Sequence, residues 1–402
     1  MTAITPPTIA PLTLPPLSLY IHLPWCVRKC PYCDFNSHQA DRFETNGELP
    51  EDAYLAKLLA DLDEDLLYVA NRPIQSIFIG GGTPSLMSAA FYYQLITQLD
   101  ARLSFVTDIE ITMEANPGTF EQDKFQHFRL AGINRLSIGI QSFQPHLLTA
   151  LGRIHGRVEA IQAVEKSRLA GFDNINIDLM HGLPEQSIEQ AQQDLQLAID
   201  LAPEHVSWYQ LTIEPNTEFF RRPPTLPEDN TLWDIQDAGQ ALLERHGFSQ
   251  YEVSANAQPN KQAKHNLNYW RFGDYLGIGC GSHGKLSFAD GRIVRTTKVK
   301  HPRGYLAAYQ NLVKPYLSDE LEVTNEDRPF EFFMNRFRLM EACPKQDFID
   351  TTGLGFDSIQ ETIEWAKELG YLNETDTHWQ ITEKGKLFLN DLLEAFMAEE
   401  DE

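Results

Sequence analysis

The stretch that decides the fold runs from Leu17 to Asn36 and reads LSLYIHLPWCVRKCPYCDFN. Its first seven residues are mostly apolar and include β-forming side chains, which predicts a short buried strand. Three cysteines follow at the spacing C-x3-C-x2-C, and the other two cysteines, Cys280 and Cys343, lie far away in sequence. Soft thiolate ligands crowded on one loop predict a metal-binding site just after this strand.

A repeated strand-and-helix order follows this stretch. Five more β-rich runs cover residues 76–82, 109–116, 135–143, 175–184 and 206–215. Between most of them lie helix-like segments, the first with leucines at helical spacing. Near-continuous apolar strands separated by helices predict a parallel sheet covered on both faces. Six such units without a dinucleotide-binding motif favour a full or partial (β/α) barrel, with its chemistry at the carboxyl ends of the strands.

The domain organisation is predicted in three parts. Residues 1–16 form a Pro-rich tail that we expect to be disordered. Residues 17–310 form the barrel, extended by a β-hairpin that turns at Asp290 and Gly291. Residues 320–402 form a small, mainly helical domain that resembles a winged helix, with a β segment at 378–382.

Composition and charge exclude several classes of function. The chain of 402 residues carries a formal net charge of −24, so it repels phosphate backbones and nucleic acid is not an expected partner. Residues 1–16 lack the basic start and apolar run of a secretory signal, and no apolar run is long enough to span a membrane. Five cysteines, three of them crowded together, do not suggest a disulfide framework. We therefore expect a cytoplasmic protein.

Three explanations of the crowded cysteines remain open from spacing alone. A structural zinc site usually takes four ligands from paired C-x2-C hooks, and no second hook exists here. Cys30 and Cys33 could form a redox pair, but that leaves Cys26 without a role. Three thiolates can instead hold three irons of a cubane cluster and leave the fourth iron open. The spacing favours the cluster.

The cysteine spacing after the first strand resembles the signature of radical S-adenosylmethionine proteins. The resemblance implies a partial (β/α)6, TIM-like barrel and a [4Fe–4S] cluster on Cys26, Cys30 and Cys33, whose open iron binds the amino acid part of S-adenosylmethionine. Further motifs resemble the oxygen-independent coproporphyrinogen III oxidase family over residues 17–290: GGGTPS, EANPG, RLSIGIQSF, NIDLMHGLP and LGIGCGSHG. HNLNYW at 265–270 is similar to the heme-chaperone, HemW-type branch of that family.

The resemblance also implies which residues contact S-adenosylmethionine. Tyr20 would lie against the ligand, and the glycine-rich strand end would receive its amino group. Polar contacts to the carboxylate and ribose would follow, and two positions would face the adenine side or a second cofactor. The glycine-rich strand end comprises Gly81, Gly82 and Thr83. The polar contacts are Glu114, Gln141, Arg153 and Asp178, and the two positions that face the adenine side or a second cofactor are Thr212 and His283. A glycine-rich turn allows a zwitterion to approach the backbone closely, and an arginine can bind a carboxylate. A glycine run would also be explained by a tight turn, and an acidic residue at a strand end by a helix cap.

Two departures from the oxidases favour a carrier over an enzyme. The oxidases extend the motif to C-x3-C-x2-C-x-C, whereas Phe35 occupies the last position here. They also carry a longer segment before the first strand. We therefore expect a heme chaperone that delivers heme to an acceptor protein, including a membrane-associated one. The resemblance also implies an electron donor such as flavodoxin or ferredoxin. The alternative is an oxygen-independent coproporphyrinogen III oxidase, which would decarboxylate a porphyrinogen.

Heme binding rests on the H-N-x-x-Y motif that begins at His265. A neutral imidazole is a common axial ligand of heme, and nearby aromatic residues offer flat apolar surface. A lone histidine beside aromatic residues is otherwise often a hydrogen-bonded core residue. The basic run 292–303 would neutralise propionates or simply protect a hairpin edge. Cys343 is a conceivable thiolate ligand, but burial is the preferred interpretation of both Cys343 and Cys280.

Overall fold

The computed structural model describes residues 12–43, 48–118, 124–308 and 313–397. Most of the predicted disordered tail, residues 1–11, lies outside the described residues. Residues 12–16 differ from that prediction because they are packed against the protein. Leu12 is buried, and the backbone N–H of Thr13 donates to the carbonyl of Asp350 at 3.0 Å. The last part of this segment is therefore tied to the C-terminal helices.

The strands of the described residues follow in chain order. They are β1 (Leu17–Leu23), β2 (Trp25–Cys26), β3 (His38–Gln39), β4 (Ile74–Gly81), β5 (Phe105–Ala115), β6 (Arg135–Gln141), β7 (Ile175–His181), β8 (His205–Gln210), β9 (Ser249–Glu252), β10 (Ala255–Ala257), β11 (Asp274–Ile278), β12 (His283–Ser287), β13 (Ile293–Lys298), β14 (Leu317–Glu322), β15 (Cys343–Pro344), β16 (Leu372–Glu374) and β17 (His378–Ile381).

The α-helices of the described residues lie mostly between these strands. They are α1 (Glu51–Asp65), α2 (Ala89–Asp100), α3 (Phe125–Leu130), α4 (Pro145–Ala150), α5 (Arg157–Leu169), α6 (Ile188–Asp200), α7 (Glu218–Arg221), α8 (Asp229–Arg245), α9 (Lys264–Trp270), α10 (Pro302–Leu306), α11 (Arg328–Arg336), α12 (Lys345–Thr352), α13 (Gln360–Glu368), α14 (Glu383–Leu387) and α15 (Leu389–Glu394).

One large sheet organises residues 17–322, in the order β14-β13-β12-β11-β1-β4-β5-β6-β7-β8-β10-β9. All six predicted strands are present, and neighbours from β1 to β8 pair in parallel. The sequence prediction missed β11, which adds a seventh parallel strand beside β1. The described strands leave the sheet open, with β14 and β9 at its edges, so the partial barrel is confirmed. Six of the seven residues of β1 are buried, including the polar Ser18 and His22, so both faces of this strand are covered.

The C-terminal helices surround a second apolar cluster rich in aromatic rings. Phe333 stacks on Phe337 and Phe348, and Trp379 of β17 packs edge-on against Phe333. The three short strands β15, β17 and β16 form an antiparallel sheet beside these helices. This matches the predicted small helical domain with a β wing. The predicted boundary between 310 and 320 remains a proposal, since Phe272 of the barrel also joins this cluster.

Within the described ranges, no helix is both long and apolar enough to cross a membrane.

Candidate functional site

The loop that carries the three cysteines is fixed by backbone pairing with the end of β4. The N–H of Gly82 donates to the carbonyl of Leu23 at 2.7 Å, and the N–H of Thr83 donates to that of Trp25 at 2.7 Å. Trp25 itself is buried and meets Tyr54 of α1 edge-on, with ring centroids 4.7 Å apart. The loop therefore leaves the sheet at its carboxyl edge, beside the glycine-rich turn.

The far end of the loop is anchored to the turn after β11. The Asn36 side chain donates to the carbonyls of Cys280 and Lys300, both at 2.9 Å. Cys280 is fully buried, as predicted, and Cys343 is buried beside Arg336. A Cβ on Gly281 would lie 2.2 Å from the Asn36 amide nitrogen, so this turn needs glycine. Residues far apart in sequence thus hold both ends of the cysteine loop.

Cys26, Cys30 and Cys33 are free, partly exposed thiols that line one cavity of about 350 Å³, which we call the cysteine cavity. Burial raises the pKa of Cys26 to about 11 and also raises that of Cys33. Deprotonation therefore needs nearby positive charge, which a metal cluster supplies. One guanidinium nitrogen of Arg153 already lies 3.7 Å from the Cys30 sulfur. Among the described residues, no three His, Cys, Asp or Glu side chains are grouped as ligands of a single metal ion.

The glycine-rich turn GGGT also lines the cysteine cavity, because side chains would not fit there. Gly81 has φ = +110°, and a Cβ on it would lie 2.4 Å from the His22 ring. A Cβ on Gly82 would lie 2.5 Å from the Trp25 carbonyl oxygen. These two positions are therefore glycine for steric reasons, which leaves backbone groups accessible at the cavity wall.

Two carboxyl groups face the same cavity from β5 and β7. Glu114 accepts a hydrogen bond from the Gly81 N–H at 3.1 Å, and burial followed by repulsion from Asp178 raises its pKa to about 8. Burial also raises the pKa of Asp178, which accepts from Ser137 Oγ at 2.8 Å and from Asn176 Nδ2 at 2.7 Å. This acidic pair is prepared for a cationic ligand, which would stabilise the ionised forms.

Arg153 and Gln141 complete the polar lining at the ends of β6 and the following loop. Arg153 donates to Asn116 Oδ1 at 2.8 Å and to the Gly139 carbonyl, which fixes its guanidinium beside Cys30. Gln141 has φ = +71°, uncommon for a residue with a side chain, and accepts from the Tyr209 hydroxyl at 2.8 Å. Strained backbone held by its surroundings is frequent at functional sites.

Sequence reasoning missed Arg135, which lines the cysteine cavity from the start of β6. Its side chain is only 2% exposed, and its Nε has no hydrogen-bond partner among the described residues. Glu110 Oε2 lies 3.9 Å from this Nε. The alternation Arg135, Ser137, Gly139, Gln141 along one strand could have revealed it, since residues two apart share a face. The strand was interpreted mainly from its apolar residues.

A second cavity of about 720 Å³ lies beside the first, and we call it the histidine cavity. It contains three of the predicted contact residues, Tyr20, His265 and His283, none of which lines the cysteine cavity. Thr212 lines neither cavity and is exposed after β8. The structure therefore brings most of the predicted set together around the cysteines and separates these four residues from it.

His265 is held at the wall of the histidine cavity by packing and one side-chain hydrogen bond. Its Nδ1 lies 3.1 Å from Ser76 Oγ, and its ring packs on Phe78 with centroids 5.2 Å apart. Burial, with a contribution from Arg135, lowers its pKa to about 3, so the imidazole is neutral at physiological pH. A neutral, oriented imidazole is suited to metal ligation.

The aromatic residues around the motif divide between different sites. Tyr269 and Tyr275 line the histidine cavity, with ring centroids 5.2 Å apart. Trp270 lines the cysteine cavity instead. Phe272 packs against Phe332 of the C-terminal cluster and has no place in either cavity. From the sequence, Tyr269, Trp270, Phe272 and Tyr275 were all expected to offer apolar surface to one ligand, but only Tyr269 and Tyr275 lie in the histidine cavity.

Most of the basic side chains in the run 292–303 form ion pairs away from the cavities. The Lys298 Nζ lies 2.6 Å from Asp61 Oδ1 and 2.8 Å from Asp65 Oδ2. Arg292 pairs with Asp290, and Arg295 pairs with Glu331 of α11. Lys300 alone of this run lines the histidine cavity, together with Lys29 of the cysteine loop. The run is therefore mainly structural, with one lysine at the cavity.

The two cavities share a wall. The residues that line both are Phe35, Ser37, Phe78, Gly81, Glu114 and Asn266. Phe35, at the position where the oxidases carry another cysteine, is 58% exposed and lines both cavities. A ligand in one cavity thus contacts residues that a ligand in the other would also contact.

Comparison with known proteins defines the class first. The radical SAM superfamily model matches residues 20–198, and the HemN C-terminal domain model matches residues 323–388. The structure of Escherichia coli coproporphyrinogen III oxidase (HemN), a radical SAM enzyme, superimposes with a TM-score of 0.80. That match covers 97% of this chain and 92% of the oxidase at 23% identity, so it concerns the fold. The fold is that of radical SAM proteins, a superfamily that implies a [4Fe–4S] cluster and S-adenosylmethionine.

Curated relatives are much closer in sequence. The Escherichia coli heme chaperone HemW is 56% identical, over 96% of this chain and 99% of that protein. The HemW proteins of Haemophilus influenzae and Bacillus subtilis are 54% and 32% identical, over 96% and 95% of this chain and 99% of each relative. The chain belongs to the HemW family of the radical SAM superfamily.

Proposed function

We propose that this protein is a heme chaperone that binds heme in the histidine cavity and delivers it to an acceptor protein. The observation that carries the proposal is a neutral, oriented histidine, His265, in a cavity next to the cysteine cavity. Membership of the HemW family supports the same conclusion, because its curated members are named heme chaperones. The proposed function has four parts, which are the cluster, S-adenosylmethionine, heme, and communication between the two cavities.

The first step concerns the cluster. Cys26, Cys30 and Cys33 would bind three irons, and no other cysteine lines the cysteine cavity in the described structure. Thiolates are the preferred protein ligands of iron–sulfur clusters. Arg153 beside Cys30 offsets part of the negative charge of the bound thiolates. The donor set fits a cubane with one iron left for a further ligand.

The second step concerns S-adenosylmethionine. Gly81 and Gly82 leave space at the backbone for the amino group of the ligand, and Glu114 and Asp178 supply acceptors for cationic groups and ribose hydroxyls. The Arg153 guanidinium can hold the carboxylate. When bound, cluster and S-adenosylmethionine supply one-electron chemistry at this edge of the sheet. Tyr20 lies on the other side of the shared wall, where it packs against Phe78 with centroids 6.3 Å apart.

The third step concerns heme. His265 would supply its Nε2 to the heme iron, while Nδ1 is oriented by Ser76. The rings of Tyr269 and Tyr275 would lie against the macrocycle, and Lys29 and Lys300 would neutralise propionates. Each of these groups lines the same cavity, so no large rearrangement of the backbone is needed.

The fourth step is communication between the cavities. Glu114 and Phe35 belong to the wall that both cavities share. Occupation of the cysteine cavity would ionise Glu114 and fix the loop that carries Phe35, which changes the surface that heme contacts. We infer that the cluster and S-adenosylmethionine thereby control heme retention and release.

The remaining partners follow from this function. An electron donor such as flavodoxin or ferredoxin would reduce the cluster, and the acceptor would be a heme protein, including a membrane-associated one. We place the protein in the cytoplasm, since reduced cysteines at the cluster loop suit a reducing compartment.

Heme titration of the anaerobically reconstituted protein tests the proposal. His265→Ala should weaken heme binding and shift the Soret band, because the iron loses a ligand. His246→Ala is the control, since His246 lies at the end of α8, lines neither cavity, and its ring bonds only to the Leu242 carbonyl among the described residues. Equal heme affinity and equal spectra for wild type and His265→Ala would remove His265 as the ligand.

Transfer and turnover assays separate the chaperone from the alternative enzyme. Heme-loaded protein should restore activity to an apo-acceptor, with loss of its own Soret band as heme moves. Under reducing anaerobic conditions, coproporphyrinogen III should remain unchanged. Stoichiometric formation of protoporphyrinogen would contradict the chaperone proposal and support the oxidase.

A further inference from the structure

Four histidines line the histidine cavity, and their ring nitrogens differ in what they bind. They are His22, His38, His265 and His283. His22 is hydrogen-bonded at both nitrogens, with Nδ1 3.0 Å from the Tyr20 hydroxyl and Nε2 2.9 Å from the Asn36 carbonyl. His38 uses its Nε2, which lies 3.2 Å from Asn36 Oδ1. These two rings serve to hold the cysteine loop.

The other two histidines share a different arrangement. His265 Nδ1 lies 3.1 Å from Ser76 Oγ, and His283 Nδ1 lies 3.2 Å from Thr297 Oγ1. In the described structure neither Nε2 makes a hydrogen bond. With the proton on Nδ1, where it donates to the hydroxyl, each Nε2 keeps a lone pair for a metal. Two of the four rings are therefore oriented as ligands.

The sheet register places these two rings at opposite ends of one row. Phe78 of β4 pairs with Tyr20 of β1, and Tyr20 pairs with Gly277 of β11. The pairing of Tyr275 with Lys285 puts Gly277 opposite His283 of β12. His265 packs on Phe78, so three strand spacings, ~14 Å, separate the strand positions at the two ends of the row. Gly277 has no side chain, and the His283 backbone packs directly against it, since a Cβ there would lie 1.9 Å from the His283 carbonyl oxygen.

We propose that His283 is the second axial ligand of heme, opposite His265, so that the bound iron has two imidazole ligands. This inference rests on the proposed function of the histidine cavity and names a ligand beyond it. Of the two positions that the sequence resemblance implied for His283, the adenine side or a second cofactor, it favours the second cofactor. His283 is absent from the residues that line the cysteine cavity, whereas it lines the histidine cavity with Tyr20 and Lys300.

The electrostatics agree with this role. Partial burial, followed by repulsion from Lys300 and Arg295, lowers the pKa of His283, so its imidazole is neutral at physiological pH. The His283 side chain is also exposed, which leaves its Nε2 accessible to a ligand that enters from solvent. The hydroxyl of Thr297 on β13 orients the ring much as Ser76 orients that of His265.

The test is the spin state of bound ferric heme in the full-length, anaerobically reconstituted protein. Wild type should give a six-coordinate, low-spin spectrum in absorbance and electron paramagnetic resonance. His283→Ala should give a high-spin spectrum and bind heme about tenfold more weakly, and added imidazole should restore the low-spin form. His246→Gln, a change outside both cavities, should keep the wild-type spin state because the His246 ring bonds only to the Leu242 carbonyl among the described residues.

A low-spin spectrum that is unchanged in His283→Ala would overturn the inference and leave heme binding through His265 intact. A loss of S-adenosylmethionine affinity in His283→Ala, with heme spectra unchanged, would also overturn it and return His283 to the S-adenosylmethionine side. Failure of the wild-type protein to bind heme would instead contradict the proposed function itself. The exposed position of His283 makes misfolding an improbable cause, and circular dichroism of each variant checks it.

Discussion

The cysteine cavity and the histidine cavity are neighbours with different construction. The cysteine cavity is lined mainly by residues of β4 to β8 and of the loops at their carboxyl ends, with side chains that hydrogen-bond one another, such as Asp178 with Ser137 and Asn176. The histidine cavity gathers β1, β4, α9 and the β11–β12 hairpin, and much of its wall is aromatic. The first is a polar site within the parallel sheet, whereas the second lies where an added strand and hairpin extend it.

This difference indicates how a radical SAM fold is adapted to carry a large apolar ligand. The polar interior can keep its ligands while the flank beside β1 supplies a separate cavity. The shared wall, which includes Gly81 and Glu114, is where the two sites influence each other.

Cys30→Ala should abolish the cluster while heme binding survives, because Cys30 lines only the cysteine cavity. Two thiolates remain, too few to hold three irons of a cubane. Iron content and visible absorbance after anaerobic reconstitution measure cluster loss, and a hemin titration measures the other cavity. Cys343→Ala is the control that should keep the cluster, since Cys343 lies in the C-terminal aromatic core. A cluster that survives the loss of Cys30 would contradict the assignment.

Gly81→Ala should damage both cavities and destabilise the fold by about 3 kcal/mol, from positive φ and a forced shift of the His22 ring. Gly171→Ala is the matched control. Gly171 has φ = +90° but nothing lies within 4 Å of its added Cβ, so only the strain of about 1 kcal/mol applies. Denaturant titration measures the free energy of unfolding of both variants. Equal decreases in the free energy of unfolding of the two variants would show that the contact with the His22 ring does not add to the destabilisation.

Ser76→Ala should weaken heme binding about tenfold, because the hydroxyl that orients His265 is lost. Ser18→Ala is the control, since Ser18 bonds to Ser76 at 2.8 Å and has no bond to His265. Hemin titration and the Soret maximum report the change, and S-adenosylmethionine affinity should stay constant in both variants. A Ser18→Ala effect as large as that of Ser76→Ala would point to general disturbance of the sheet.

S-adenosylmethionine affinity should rise with pH through the pKa of Glu114, which is about 8. Below that pH the free protein holds Glu114 neutral, so binding a cationic ligand must expel a proton. If only the ionised form binds, affinity rises about fivefold from pH 7 to pH 8 and about twofold from pH 8 to pH 9. Isothermal titration of Glu114→Gln over the same range should give a flat profile at lower affinity. A flat wild-type profile would contradict the role of Glu114.

The fold was largely predictable because its signals are local. The six strands were found from short apolar runs, and the hairpin was found from Asp290 and Gly291. Strand β11 was missed because DYLGI is short and its partner, β1, lies more than 250 residues earlier. Nothing in its own sequence indicates that pairing, which comes from non-local hydrogen bonds. The packing of Thr13 against Asp350 was missed for the same reason.

The residues around the cysteines were predictable to a similar degree, whereas the histidine cavity was predicted only through the motif that begins at His265 and the aromatic residues near it. Glu114, Gln141 and Asp178 lie on parallel strands, so their shared face follows from strand order. Arg135 was missed because its strand was interpreted from its apolar residues, although it shares a strand face with Ser137, Gly139 and Gln141. The resemblance implied that Tyr20 contacts S-adenosylmethionine and that His283 faces the adenine side or a second cofactor, and both line the histidine cavity.

The sequence by itself determined the cysteine spacing, the glycine-rich turn and the strand order, since each depends on residues close together in the chain. Tertiary structure alone decided that His265 and His283, eighteen positions apart and on different elements, face one cavity with Nε2 atoms that have no hydrogen-bond partner among the described residues. That outcome depends on the register between β4, β1, β11 and β12, and on the hydroxyls of Ser76 and Thr297. Register is fixed by pairing across the sheet, so only the folded chain specifies which imidazoles can share a ligand.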